Sequence, residues 1–399
     1  MRLLKVNVPN FRNLQNVELT FEPDLSPAVF PIASQNGGRK STLLQLIFTL
    51  FHCGINPDRH RYISNLFNTS QKLKDGEIYN IANFHFLYKG KIIAFKFNIF
   101  NFSSREALRE SSLLDILESD REYDIFSGYH KTRREVNQEH NFIYSLYWDS
   151  QEVGENIADD SKILFCSINN EVEYNFAVEA FTAIGENIFL AAPSTQPFLF
   201  LDKSSKKELF NNLSKYCEIL VANKADLSNF YLYSQLTIAE LIETFKKARD
   251  QDWQEGISSD DLSYGSKFKM LVDDFHDFLG NDKYILPTSE LDSIVVQKQI
   301  SEIKKIELDP EDLSHGELRR LGLYAWVKYN IPENSIILID EVENALHPDW
   351  QYNIADELAS WGNNQYLLAT HSFHLCEALT PKHVKEIEPK MSKPDSKVD

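Results

Sequence analysis

Residues 335–348 read Ser-Ile-Ile-Leu-Ile-Asp-Glu-Val-Glu-Asn-Ala-Leu-His-Pro. Four aliphatic residues in succession, Ile336 to Ile339, leave no polar side for water, so Ser335–Asp340 reads as a strand covered on both faces. Such a strand belongs to a parallel sheet, and ligands bind beyond its carboxyl end. Two carboxylates stand at that end. Asp340 is placed to support Mg²⁺, directly or through water, and Glu341 to orient or deprotonate a water.

Outward from this strand, elements alternate. A helix is expected from Pro348, a strand over Tyr366–Thr370 and, upstream, a helix after Ser314. Strands alternating with helices give a parallel sheet. Near the amino end, Arg2–Glu22 predicts two strands around a turn at Pro9–Asn10. Val29–Ser34 predicts a short buried strand, followed by a Gly-containing loop and a helix from Ser41 to about Cys53. Asn83–Phe100 predicts a hairpin turning at Lys89–Gly90. Core strands are expected again at Ile163–Ile168 and Asn187–Ala191. KKELFNNLSKYCEIL, IAELIETFKKARD and FKMLVDDFHDFL carry apolar residues at helical spacing, which predicts a helical lobe from about Ser204 to Leu279.

The loop before the first helix reads Ser34-Gln35-Asn36-Gly37-Gly38-Arg39-Lys40-Ser41-Thr42. Small residues let backbone N–H groups face a β-phosphate, a Lys reaches the β- and γ-phosphates, and a hydroxyl holds Mg²⁺. Asn36, Gly37, Gly38, Lys40, Ser41 and Thr42 fit these roles. Ser34 and Arg39 occupy the two positions where such loops carry Gly, and a long side chain at 39 threatens to crowd the turn. Leu313-Ser314-His315-Gly316-Glu317 opens the helix after Ser314. A hydroxyl, a Gly N–H and a helix N-terminus together suit an anion, and they equally suit a plain helix cap. His371, in Ala369-Thr370-His371-Ser372, follows an apolar strand, where an imidazole can meet a γ-phosphate.

The bulk properties narrow the choice. The chain has 399 residues, enough for a large core, and 41 Lys plus Arg against 59 Asp plus Glu give a net charge of -18. Such a chain repels nucleic acid and anionic membrane at long range, so any nucleic-acid contact needs a local basic patch or a partner. Cys53, Cys166, Cys217 and Cys376 lie far apart and suggest neither disulfides nor a zinc site. No signal peptide or membrane-spanning run is evident. A cytoplasmic location is expected.

Phosphate loop, LSHGE, acidic strand and His occur in one order, and that order resembles ABC-type ATPases. The wording of FRNL (11–14), SQNGGRKSTLL (34–44), LSHGE (313–317), ILIDEVENALHP (337–348) and LLATHS (367–372) is similar to the branch holding SMC, RecF and OLD-family proteins. It is also similar to ATPase subunits of bacterial anti-phage systems such as Septu, Gabija and PARIS. The resemblance covers about residues 1–55 and 310–375. It implies an α/β fold, an ABC-type P-loop NTPase head: a mixed sheet with N-terminal antiparallel strands, a central parallel sheet, a helical lobe and an insert. It implies ATP and Mg²⁺ as cofactors, with residues 36–42, Arg39 included, around the phosphates and Ser41 and Asp340 at the metal. Glu341 becomes the catalytic base and His371 the switch. Ser314 and Gly316 become contacts to ATP held by the opposite protomer, which requires a head-to-tail pair. Gln196 matches the family's Q-loop glutamine, and Arg12 is a further nucleotide contact. Arg39 leaves three readings open: slow hydrolysis, a shifted loop, or a crippled copy.

The organisation expected is 1–102 as the first part of the core, 103–160 as an insert of helices and loops, 161–200 as core strands, and 201–305 as the helical lobe. Residues 306–385 complete the core, and 386–399 form a disordered tail. No room remains for a TOPRIM nuclease domain. His130 and His140, with Lys131, Arg133 and Arg134, read as a solvated face. The function expected is an ATP switch that controls a separately encoded nuclease or toxin in anti-phage defence. A RecF-like repair ATPase, using Lys203, Lys206 and Lys207 or Lys298, Lys304 and Lys305 against nucleic acid, is one alternative. An ATP-locked scaffold is another, and a transporter subunit is disfavoured.

Overall fold

The computed structural model describes residues 1–34, 39–66, 77–102, 142–149, 152–153, 156–157, 161–168, 173–233, 237–254, 266–280, 283–288, 290, 292–300, 305–309, 313–344 and 346–387. Asn36, Gly37 and Gly38, the histidines 130 and 140, and most of the 103–160 segment lie outside the described residues.

Two six-stranded sheets sandwich a helix. The first is antiparallel: β1 (Arg2–Phe11), β2 (Leu14–Thr20), β4 (Ile78–Tyr88), β5 (Lys91–Phe102), β6 (Phe142–Asp149) and β9 (Ser161–Ile168) lie in the order β2-β1-β4-β5-β9-β6. The second is parallel throughout: β3 (Val29–Ala33), β10 (Ile188–Ala192), β11 (Phe230–Leu232), β15 (Ile336–Asp340), β16 (Gln365–Ala369) and β17 (Lys385–Glu386) lie in the order β11-β10-β15-β16-β3-β17. The mixture of antiparallel amino-terminal strands and a central parallel sheet is the α/β class expected from the sequence. Every residue of β10, β15 and β16 is buried, which is why these segments carry aliphatic runs and no alternation.

Between the sheets runs α1 (Arg39–Phe48), continued by a π-helical turn at Thr49–Cys53. Phe51 on that turn meets Phe84, Phe86, Phe95 and Phe97 of the first sheet edge-on, at 5.0–5.6 Å between centroids. Edge-to-face rings set the quadrupole of one against the rim of the next and add to the burial they already provide. This is where much of the phenylalanine excess is placed. A buried glutamine fastens one sheet to the other: Leu3 N donates to Gln365 Oε1 at 2.7 Å, and Gln365 Nε2 donates to Leu3 O at 2.9 Å.

Several expectations are corrected. The first hairpin turns at Arg12–Asn13, where Phe11 pairs with Leu14, and not at Pro9–Asn10. Pro9 lies within β1, beyond Asn7, where the pairing of β1 with β4 has ended, so its missing N–H costs no ladder bond there. The 103–160 segment is not only helices and loops: β6 pairs antiparallel with β9, and β7 (Glu152–Val153) pairs with β8 (Asn156–Ile157). FIYSLYWD is apolar or aromatic at most positions and lacks the alternation that marks a strand. Among 161–200, α3 (Tyr174–Glu186) was not anticipated. Upstream of it, α2 (His60–Ser64) is one short turn.

The 201–305 segment is not helical throughout. It holds β11, and also a three-stranded antiparallel sheet of β12 (Lys283–Pro287), β13 (Ile294–Gln299) and β14 (Lys305–Leu308). The run KKELFNNLSKYCEIL falls on two helices, α4 (Lys203–Asn211) and α5 (Leu213–Lys224). Asn212 leaves helical geometry and caps α5 by accepting from Lys215 N. α6 (Thr237–Gln254) and α7 (Ser266–Leu279) complete the lobe. α8 (His315–Asn330), α9 (Pro348–Ser360) and the single-turn α10 (Phe373–Glu377) belong to the carboxyl-terminal core. Order extends past 385, because Glu386 pairs with Ala33 and Ile387 is buried. Residues 388–399 lie outside the described set. No helix among the described residues is long and apolar enough to cross a membrane.

Candidate functional site: a cleft at the edge of the parallel sheet

The parallel sheet sets the site because its central strands all end on one side. β3 delivers the chain to the loop before α1, β15 delivers Asp340 and Glu341, and β16 delivers His371. Their carboxyl ends meet in a cavity of ≈ 580 Å³, lined by Lys40, Ser41, Thr42, Gln196, Asp340, Glu341 and His371 together with Arg12 and Lys206. Residues from Arg12 to His371 are thereby neighbours.

Lys40 Nζ lies 3.1 Å from His371 Nε2. Burial lowers the pKa of this ammonium, and the carboxylates of Glu343, Asp340 and Glu341 oppose that shift. The imidazole thus stands at the tip of a buried cation that phosphate oxygens would attract more strongly. Ser41 Oγ donates to Asp340 Oδ1 at 3.0 Å. The second oxygen of Asp340, Oδ2, is buried and accepts no hydrogen bond of good geometry. Burial pushes the Asp340 carboxyl up to about 6, against the Ser41 hydroxyl and the Gln196 amide, which favour its charged form.

Mg²⁺ prefers one or two carboxylate or hydroxyl oxygens plus phosphate and water to a full protein cage. A buried carboxylate with one oxygen spare, bonded to a serine hydroxyl beside the phosphate loop, fits that ion. Ser41 and Asp340 are the residues that would hold it.

Glu341 has φ +53°, a conformation seldom taken by a residue with a side chain. It is held from both ends. Glu341 N donates to Ala369 O at 2.9 Å, and Arg319 Nη2 donates to Glu341 O at 2.5 Å. The strained turn swings the carboxylate away from the strand direction and onto the wall of the cleft. Arg319 was not foreseen from the sequence. Buried on α8, it also donates to Asn344 O at 2.7 Å and lies 3.8 Å from the Tyr233 ring centroid. Nothing local to Leu318-Arg319-Arg320 marks one arginine as the buried one. The segment after Glu341 is fixed further by Glu343 Oε1, which accepts from His371 N at 2.5 Å.

Ser314 and Gly316 do not line this cleft. Ser314 is exposed and forms a capping box with Glu317: Glu317 N donates to Ser314 Oγ at 3.2 Å, and Ser314 N donates to Glu317 Oε2 at 3.1 Å. Arg39 is the first residue of α1 and is not among the residues lining the cavity. Helical geometry at that position needs no glycine.

Residues 35–377 match the family described as "AAA domain, putative AbiEii toxin, Type IV TA system". A retron Ec83 probable ATPase of Escherichia coli is 30% identical over 183 residues, which is 41% of this chain and 32% of that protein. The match thus spans about a third of that relative's length. Among solved structures, an SMC head bound to the C-winged helix domain of ScpA is 13% identical with a TM-score of 0.40, covering 97% of this chain and 98% of that one. The SMC head domain of Thermotoga maritima is 12% identical with a TM-score of 0.38, covering 95% and 92%. The family and the retron relative agree with the resemblance to defence-related ABC-type ATPases drawn from the motifs, and with a general assignment as a nucleotide-binding ATPase. Matched over most of its length, the chain belongs to this AAA-domain family.

Proposed function

We propose that the chain is an ATP-binding and ATP-hydrolysing switch that closes head-to-tail on a second copy when ATP binds, and that this closure controls a separate effector in anti-phage defence. The observation that supports it is a division of the motifs. Lys40, Ser41, Asp340, Glu341 and His371 converge on one cleft, whereas Ser314 stands exposed at a helix N-terminus elsewhere, with Gly316 buried one turn in. A triphosphate in the cleft would carry its γ-phosphate to the surface. The helix N-terminus of a second copy, with its positive end, suits that phosphate.

On this reading Lys40 binds the β- and γ-phosphates and releases His371 to the γ-phosphate. Ser41 and Asp340 would hold Mg²⁺, which would supply charge neutralisation of the phosphates. Glu341 orients the attacking water and takes its proton. The helical arrangement of Arg39 favours turnover over the locked-scaffold alternative. The retron relative is the ground for placing the switch in defence, where the effector would be a nuclease or toxin encoded separately.

Light scattering and ATP hydrolysis test the reading. Glu341→Gln should bind ATP, hydrolyse little of it, and run at twice the chain mass only with ATP present. A monomer at every ATP concentration, with a binding constant equal to that of the unaltered chain, would count against head-to-tail closure.

A further inference from the structure

The lining of the cleft contains a cation that no motif assigns. Lys206 lies on α4, a helix of the lobe, yet its side chain turns into the nucleotide cleft and not outward with Lys203 and Lys207. Its Nζ donates to Leu199 O at 3.2 Å. Leu199 in turn is bound to the helix that follows the phosphate loop, since Leu199 N donates to the buried Gln45 Oε1 at 2.8 Å. Lys206 is therefore held against the cleft wall by the backbone of the segment that begins at Gln196.

Arg12 stands in the same cleft, at the β1–β2 turn, with Nη2 donating to Asn65 O at 3.0 Å and Nε buried without a partner. Burial lowers the pKa of Lys206 to about 8, and the positive charge of Arg12 adds to the effect. Asp202 opposes it, but that carboxylate already accepts from Ser204 N, Ser204 Oγ, Ser205 N and Ser205 Oγ at the N-cap of α4. Two half-buried cations are thus held together against their repulsion in a cleft. An arrangement of that kind is costly empty and is relieved by an anion.

We propose that Lys206 is a nucleotide contact supplied by the helical lobe, sharing with Arg12 the phosphate oxygens of a nucleoside triphosphate seated in the Lys40 cleft. This rests on the nucleotide reading of the cleft given above and adds a residue to it from outside the core motifs. Binding draws the Lys206 ammonium from Leu199 O to the phosphate, so the triphosphate ties α4 to the core as well as to Lys40. The same ammonium becomes the proton-sensitive member of the site. The other charged groups facing the cavity are Arg12, Lys40, Asp340, Glu341 and His371, with Asp202 and Lys203 on its own helix end. Arg12 keeps its charge throughout the accessible range. Affinity should be full below the free-state value of about 8 and fall as pH rises through it, because the neutral amine makes no charge-assisted bond.

The full-length chain with Mg²⁺-ATP, titrated by calorimetry at pH 7.5 and 9.5, tests this with three proteins. In that range the terminal phosphate, with its second pKa near about 6, is already ionised. The unaltered chain should lose affinity on the order of tenfold between the two pH values. Lys206→Met should be weaker by a similar factor at pH 7.5 and nearly flat with pH. Lys206→Arg, which cannot deprotonate, should bind at pH 7.5 and hold its affinity at pH 9.5. Lys206→Met with unchanged affinity, or with the pH dependence of the unaltered chain, would overturn the contact. Loss of binding in Lys206→Arg equal to that in Lys206→Met, both folded by circular dichroism, would also overturn it, as a packing role. Absence of ATP binding by the unaltered chain would overturn the nucleotide reading itself, and the Lys206 contact with it.

Discussion

Ser41 and Asp340, 299 residues apart, share a hydrogen bond of 3.0 Å at the mouth of the cleft, and the second oxygen of Asp340 is buried and accepts no hydrogen bond of good geometry. A buried carboxylate with a spare oxygen is a cost to the empty protein, visible in a pKa pushed up to about 6. Asp340→Asn removes the charge at constant shape. It should weaken Mg²⁺-dependent ATP binding at least about tenfold and, at pH 8 without nucleotide, raise the melting temperature. Scanning calorimetry with and without Mg²⁺-ATP checks both. A lower melting temperature in the empty variant would mean that the Ser41 bond outweighs the burial of charge.

A site shared between two copies makes a prediction that a self-contained site does not. Lys40→Ala and Ser314→Arg should each abolish hydrolysis alone. In a mixed pair, the cleft of the Ser314→Arg chain meets the intact helix N-terminus of the Lys40→Ala chain. One working site is restored in each mixed pair, and an equimolar mixture should recover roughly a quarter of the unaltered rate. No recovery, with each variant folded, would place Ser314 in its capping box and nowhere else.

Much of this site was legible in the sequence because its parts sit at the ends of long aliphatic runs. Ile336–Ile339 and Leu367–Leu368 declare buried strands, and whatever follows such a strand in a parallel sheet lies at its binding edge. Lys206 and Arg319 were not legible in that way. Each is one basic residue among several on a helix, and only the packing of that helix selects which enters the interior. The strand β6 and the sheet β12–β14 escaped for the opposite reason. Their runs are short or unbroken in polarity, so helix and strand periods cannot be told apart. The hairpin turn at Arg12–Asn13 was displaced in the reading by Pro9, a residue that signals a turn in most contexts and here lies in the part of β1 that pairs only with β2.

Arg319 ties the helix that follows Ser314 to the carbonyls of Glu341 and Asn344. Lysine has the charge but not the fork needed to reach two carbonyls at once. Arg319→Lys should leave the ATP dissociation constant within about threefold and lower kcat by an order of magnitude, because Glu341 loses the support for its positive φ. Single-turnover hydrolysis separates the two quantities. An equal loss in binding and turnover would assign Arg319 to general stability.

His52 gives the stability of the core a pH dependence. It is buried beneath Arg59, stacked on Phe48 at 4.9 Å between centroids, and Nδ1 lies 3.1 Å from Gly185 O. Burial, aided by the charge of Arg59, holds its pKa down at about 3. Its folded-state pKa is thus below the unfolded value near about 6.5, so the unfolded chain binds a proton that the folded chain refuses. Stability is intact above that pH and is lost progressively as pH falls toward 3, by up to about 1.4 kcal/mol per pH unit from this group. Denaturant melts at pH 7, 6, 5 and 4 should show a shallower acid decline in His52→Phe than in the unaltered chain. Parallel declines would mean that the acid sensitivity arises elsewhere.

Arg39 stands where phosphate loops of this kind carry glycine, and its effect on turnover follows from the backbone it adopts. Glycine is required where φ is positive or where a Cβ would strike a neighbour. Arg39 instead begins α1 in helical geometry, and it is not among the residues that line the cavity. Arg39→Gly should therefore change kcat by less than about threefold, while removing a good helix former from the first turn should lower stability by about 0.5–1 kcal/mol. Steady-state hydrolysis beside a urea melt measures the two effects in one preparation. A tenfold gain in turnover would show that the arginine side chain, and not the backbone, restrains the phosphate loop, and would revive the reading of a switch that holds ATP without spending it.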